Sequence, residues 1–377
     1  MDIFRNYYRI IKYLYLSLCL LVSSKYFIAE SLFDTTVNYI STILPVIGII
    51  LVIFMKNQKR INNIYFILLF IIYALATCIG NGNIRDEFII VIILALLFNN
   101  ENPSKFVKFV FYFNLVFVVI NCLLSYFGLL PFQVVTNIRI RHYFNFFHPN
   151  SLGVYVLSIY SLFCYCYKKW KLPIIGLGIV SFFFAYEYVN SRTSGLLILL
   201  LLVLHIFYWI LCYIKNKFNI NVQILKKFCS GFIAFLPIIC LIFSIIITIA
   251  YGENLPIINK LDQLLSTRIS LQYNSYSNYG FPLFGLQKNF IVDTYDLIDS
   301  LYMQLIYRYG LLFEIVLFIA ITFRLYTIRN KFDLFSFSWV VIIWCLHGFS
   351  EPVSLYFLFN PFLIFLYNDY QEVTYYE

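Results

Sequence analysis

The stretch GLLILLLLVLHIFYWILCYI, residues 195–214, decides the fold. It contains no Asp, Glu, Lys or Arg. Coiled as a helix rising about 1.5 Å per residue, such a run matches the roughly 30 Å hydrocarbon thickness of a bilayer. Arg192 precedes it, and Lys215 and Lys217 follow it. Comparable apolar runs lie near 10–29, 37–55, 64–79, 88–100, 107–130, 150–167, 172–189, 230–251, 301–323, 335–350 and 353–367. Together they predict an all-α, polytopic transmembrane bundle of about twelve spans in a single integral membrane domain, residues 1–377. The apolar core of the fourth run, Phe88 to Phe98, is short enough to fit a re-entrant segment as well.

Composition agrees. The chain is 62% hydrophobic and 12% charged, with a mean hydropathy of +0.83, which excludes a soluble domain of this length. Continuous apolar runs exclude a β-barrel, whose strands alternate apolar and polar residues. The nine cysteines lie almost all inside apolar runs and form no CxxC pair. They read as small apolar side chains rather than disulfides or metal ligands. The first run follows basic residues but lacks a small-x-small cleavage site, so it reads as a retained span and not a signal peptide.

The basic residues set the orientation. With the N-terminus in the cytoplasm, the inner segments hold Arg5, Arg9 and Lys12; Lys56, Lys59 and Arg60; Lys105 and Lys108; Lys168, Lys169 and Lys171; Lys215, Lys217, Lys226 and Lys227; and Arg324, Arg329 and Lys331. That is most of the 27 Lys and Arg residues, as the positive-inside rule requires. Both termini are then cytoplasmic. The net charge of +9 serves orientation against anionic head groups and is not a nucleic-acid signal. No GxxxxGK[ST] occurs, and no inner loop is large enough to house a nucleotide site.

The charges left outside are the candidates for chemistry. Two outer loops carry most of them: residues 130–149 and the long loop 252–300. Loops longer than about 15 residues in compact proteins are usually functional. The first loop holds Arg139, Arg141, His142 and His148, with Pro149 and Asn150 opening the next helix. Guanidinium forks beside a helix N-terminus form an anion site; the same arginines also suit plain contact with lipid head groups. Asn190-Ser191-Arg192-Thr193-Ser194-Gly195 is a tight outer turn whose Arg192 suits either a phosphate or a local pair with Glu187. The long loop contributes Asp262, Arg268, Asp293, Asp296 and Asp299, and its Gly280-Phe281-Pro282-Leu283-Phe284-Gly285 stretch predicts tight turns. Asp299 fits a general base for a hydroxyl nucleophile, or an acid that stabilises a helix start. Arg308 falls in the outer part of a span, where ionisable groups face a cavity or partner. His347 and Glu351, four apart, share a helix face. His205, mid-span, reads as a satisfied interior histidine. No residue set has zinc-ligand spacing, so neither metal nor cofactor is expected.

These pieces resemble the Wzy-type polysaccharide polymerases, within the wider O-antigen ligase and polymerase group. The resemblance rests on Arg141 through His148-Pro149-Asn150 with Gly153 following, Asn190 to Gly195, the long outer loop, Asp299-Ser300-Leu301-Tyr302 running to Gly310, and His347 to Glu351 with Asn360. Arg141 precedes Gly153, and Arg268 precedes Gly280, by the same interval, as in some such polymerases. The ligase branch places a histidine at the start of the helix after the long loop. Here that position is Asp299, which favours the polymerase branch.

The resemblance implies a glycosyltransferase in the bacterial plasma membrane with an outward-facing site. Its donor would be a polyprenyl-diphosphate-linked oligosaccharide, and its product a surface polysaccharide: O-antigen, capsule or exopolysaccharide. Arg141, Arg192, Arg268 and Arg139 are then expected on the diphosphate, and Asp299 or His148 near the acceptor. Asn150, Asp293, Arg308, His347 and Glu351 are expected in support, and loop aromatics on sugar faces. Membrane lipids, a chain-length regulator and a flippase are the implied partners, with no nucleic acid. The alternatives are a ligase-like transferase to another acceptor and a lipid-linked oligosaccharide flippase. A flippase is expected to carry charge along a central cavity, between short loops.

Overall fold

The computed structural model describes residues 2–28, 34–54, 86–98, 101–135, 141–218, 223–265, 267–286, 298–328 and 334–363. The expected span 64–79 and the residues Arg139, Asp293 and Asp296 lie outside them. The described chain is all-helical apart from one two-stranded hairpin. Five of its helical segments are long and apolar enough to cross a membrane: Pro103–Tyr126, Lys171–Tyr188, Arg192–Ile214, Cys229–Tyr251 and Leu311–Ile328. They leave large apolar side chains exposed, among them Val116, Ile120, Val203, Phe207, Ile242 and Ile246.

The chain divides into two compact units. The first comprises Met1–Arg60, Arg85–Phe218 and Tyr356–Gln371. It contains α1 (Asp2–Lys25), α2 (Asp34–Phe54), α3 (Asp86–Leu97), α4 (Pro103–Tyr126), strands β1 (Gln133–Val135) and β2 (Arg141–Phe144), α5 (Pro149–Cys166), α6 (Lys171–Phe183) and α7 (Arg192–Phe218). Helix α4 starts where Asn102 accepts the Ser104 N–H (2.9 Å) and Pro103 takes the first turn, a position where a missing N–H costs nothing. The core gathers Phe27, Phe117, Phe146, Tyr155 and Phe359. The Tyr155 ring lies 4.8 Å from Phe359, 5.4 Å from Phe146 and 5.5 Å from Phe117.

The expected span 353–367 is corrected here. Residues Pro352–Leu355 and 361–363 form 3-10 turns, and 356–360 are irregular. Pro352 and Pro361 both oppose a continuous helix. Two buried side chains satisfy the backbone that this leaves. Asn114 of α4 donates to the Leu358 carbonyl (2.7 Å) and Ser158 of α5 to that of Phe359 (2.9 Å). Irregular backbone inside an apolar bundle persists only when protein groups satisfy it in this way.

The second unit comprises Ile61–Ile84, Asn219–Leu355 and Glu372–Glu377. It contains α8 (Gln223–Tyr251), α9 (Pro256–Leu264), α10 (Arg268–Tyr279), α11 (Leu301–Tyr309), α12 (Leu311–Ile328) and α13 (Leu334–His347). Helix α8 is the centre, with α9 to α13 all packed on it. The Thr248 hydroxyl of α8 donates to Gln272 Oε1 of α10 at 3.1 Å, both buried. The described part of the long loop thus contains two helices, α9 and α10.

The expected span 301–323 is also corrected: it breaks at Gly310 into α11 and α12. Gly310 has φ +96, and a Cβ there would lie 2.2 Å from the Leu283 carbonyl oxygen. Residues 282–286 fill the break. The Leu311 N–H donates to Pro282 O (2.8 Å), the Leu312 N–H to Leu283 O (3.3 Å), and the Leu286 N–H to Tyr307 O (2.8 Å). Where tight turns were expected, at 280–285, the chain bends at Leu283 and Phe284, with Gly280 and Gly285 at positive φ.

Candidate functional site

In the first unit, the motifs at 141–153 and 190–195 meet. Expected as loop, residues 130–149 hold the β1–β2 hairpin, with Val134 opposite His142 and Val135 opposite Arg141. Arg141 is half-buried in β2. His148 is the N-cap of α5: its Nδ1 accepts the Asn150 N–H at 3.1 Å, and Pro149 occupies the first turn. Helix α6 ends in a π-helical turn, Phe184–Tyr188, a feature often found at functional sites. That turn presents Tyr188 to a stack, with the His142 ring 4.6 Å away at 20° and the Phe184 ring 5.5 Å away at 19°. The His142 Nδ1 is buried and has no hydrogen-bond partner among the described residues.

The 190–195 turn sits against α5. A Cβ on Gly153 would lie 2.2 Å from Ser191 Oγ, so only glycine admits this approach. The Ser191 carbonyl accepts the Gly195 N–H (3.0 Å), and the Ser191 hydroxyl donates to that of Ser194 (3.2 Å). Arg192 opens α7 and is exposed. The alternative pair with Glu187 does not form: both are exposed, and no ion pair joins them.

In the second unit, an ion triad joins three segments that are far apart in sequence. Thr267, in the left-handed region at φ 63, turns the chain from α9 into α10. The buried Asp262 of α9 fixes that turn. Its Oδ1 accepts the N–H groups of Ile269 (2.8 Å) and Ser270 (3.0 Å), and its carbonyl accepts that of Thr267 (2.8 Å). This cap sets where Arg268 stands. Asp299 precedes α11, whose first N–H, from Leu301, donates to the Gly348 carbonyl at 2.8 Å. That bond ties Asp299 to the turn after α13, where the Glu351 N–H donates to His347 O at 3.0 Å.

Arg268 closes the arrangement. Its Nε donates to Asp299 Oδ2 and its Nη2 to Glu351 Oε1, each at 3.2 Å. The side chains of Arg268 and Glu351 are 11% and 15% exposed, and that of Asp299 is 44% exposed. Asp299 Oδ2 is held, and Oδ1 has no hydrogen bond among the described residues.

His347 lies under Glu351 and is fully buried. Its Nδ1 is 3.5 Å from the Ser354 hydroxyl, and its Nε2 has no partner among the described residues. Arg308 ends α11, half-buried, where a cation suits the helix dipole. His205 is satisfied, its Nδ1–H donating to the Leu201 carbonyl at 2.8 Å. Among the described residues, no three His, Cys, Asp or Glu side chains are grouped to hold a metal ion. The described cysteines are all free.

No family model, curated protein or solved structure matches the chain. The class that the fold defines is a helical protein with several helices long and apolar enough to cross a membrane.

Proposed function

We propose that the chain is a Wzy-type polysaccharide polymerase, joining polyprenyl-diphosphate-linked repeat units at the outer face of the plasma membrane. The observation that carries this reading is the Arg268–Asp299–Glu351 triad, with Asp299 half-exposed at its edge. A carboxylate fixed through one oxygen is oriented to accept a proton through the other. In this reading the acceptor sugar hydroxyl loses its proton to Asp299, and its oxygen bonds to the anomeric carbon of the donor glycan. The bond from that carbon to the diphosphate oxygen breaks, and the electron pair leaves with the polyprenyl diphosphate. Cations facing that growing negative charge are a large term in group transfer. Arg268 acts as a positioning residue for Asp299 rather than as a diphosphate ligand. His148, as a helix cap, orients the start of α5.

The test is surface glycan length in a strain lacking this gene, complemented by the wild type or by Asp299→Asn. General-base catalysis contributes about 10²–10⁴-fold, so Asp299→Asn at normal membrane abundance is expected to abolish long chains. Single repeat units should still reach the surface. Repeat units accumulating on lipid at the inner leaflet would instead favour the flippase.

A further inference from the structure

Glu314 stands apart from the triad. It lies in the first turn of α12, inside one of the segments long enough to cross a membrane. It is fully buried, and neither carboxylate oxygen has a hydrogen-bond partner among the described residues. The plain explanation for an acid at this position is a helix start whose free amides and dipole stabilise its charge. That explanation is weakened here, because the Leu311 and Leu312 N–H groups already donate to Pro282 and Leu283 carbonyls. The Glu314 N–H itself donates to Gly310 O at 3.2 Å.

The neighbours supply no countercharge. No charged side chain among the described residues acts on Glu314. Tyr302 of α11 lies within electrostatic reach of Glu314, with Cys240 of α8 and Cys345 of α13 near its phenol. The Tyr302 hydroxyl is already committed, donating to the Cys345 carbonyl at 2.7 Å. An ionised carboxylate in an apolar bundle without partner or countercharge is among the costliest arrangements a protein can hold.

We propose that Glu314 is a proton-binding site in the interior of the second unit, a buried carboxyl without a hydrogen-bond partner among the described residues, beside the break at Gly310. The inference does not rest on polymerase activity. The site adjoins the junction of α11 and α12, and α11 directly follows Asp299.

The experiment is infrared difference spectroscopy of the full chain in lipid vesicles, wild type against Glu314→Gln. The expected result is a protonated-acid carbonyl band at neutral pH that is missing from the variant. The band should be the same in sodium and choline chloride and should shift in heavy water. Absence of the band, or its loss on adding sodium, would overturn the proposal; the second result would make the site a cation site. Should Glu314→Gln fail to fold, the wild type alone suffices. A hydrophobic carbodiimide reacts with protonated carboxyls, and mass spectrometry should locate the adduct on Glu314. Its yield should fall about tenfold per pH unit above the titration of the site. Equal labelling at every pH would refute the assignment.

Discussion

Replacing Arg268 by alanine separates two roles for this residue. As the bridge between Asp299 and Glu351, it is part of the architecture of the second unit. As a diphosphate ligand, it would matter to activity alone. Breaking a fully buried ion pair by removing one partner costs about 3–5 kcal/mol. Glu351 is 15% exposed, so its loss of the guanidinium belongs near the lower end, about 3 kcal/mol. Asp299 is 44% exposed, and solvent screening reduces its share to under about 1 kcal/mol. The expected loss of about 3 kcal/mol corresponds to a fall of about 6–12 °C in apparent Tm, at 2–4 °C per kcal/mol. The assay is thermal unfolding of the detergent-solubilised full chain, read as the monodisperse fraction after heating.

A second substitution sharpens the test. Glu351→Gln in the Arg268→Ala background removes the carboxylate that faced the guanidinium, so it should restore part of the loss, with a coupling of about 1–3 kcal/mol. Arg268→Lys should fall between, because a single ammonium cannot reproduce the fork that reaches two carboxylates. Two results would refute the reasoning. One is an Arg268→Ala protein as stable as the wild type but inactive, which would return Arg268 to the diphosphate. The other is a double variant whose loss is the sum of the single ones.

Two further substitutions test how the triad is held in place. Gly310→Ala would force a side chain into the φ +96 backbone and against the Leu283 carbonyl; a loss of about 2–4 kcal/mol is expected, read as a lower apparent Tm. Asp262→Ala removes the acceptor of two α10 N–H groups and should cost about 1–2 kcal/mol, with hydrogen exchange accelerated first at Ile269 and Ser270.

The helices were legible where one signal was strong. Residues 195–214 are apolar throughout, and α7 covers them. The span at 301–323 looked equally continuous, because the residues on both sides of Gly310 are apolar. What breaks it is a loop carbonyl some thirty residues upstream, and hydropathy carries no such information. The run at 353–367 failed for a related reason. Its prolines were visible, but the Asn114 and Ser158 side chains that make irregular backbone tolerable belong to α4 and α5. Glu314 was missed although the signal was present: it is a single acid inside the apolar run Phe313 to Ile321, the kind of residue that hydropathy averages away.

The candidate site was legible as a set of residues and not as a geometry. Asp299, Glu351 and Arg268 were each singled out, but their pairing depends on a cap and a turn that have no sequence signature of their own. The repeated Arg-to-Gly interval shows why. From Arg268 to Gly280 it measures the length of one helix: Arg268 opens α10, and Gly280, at φ +62, closes it. From Arg141 to Gly153 it measures something else, a strand residue followed by a glycine inside α5 that lets Ser191 approach. One spacing therefore stands for two physical demands, a helix end and a close contact between helices. A motif read from the chain specifies which residues matter; only their neighbours in space specify the reason. For Arg268 those neighbours are two carboxylates, Asp299 and Glu351, which no spacing along the chain announces.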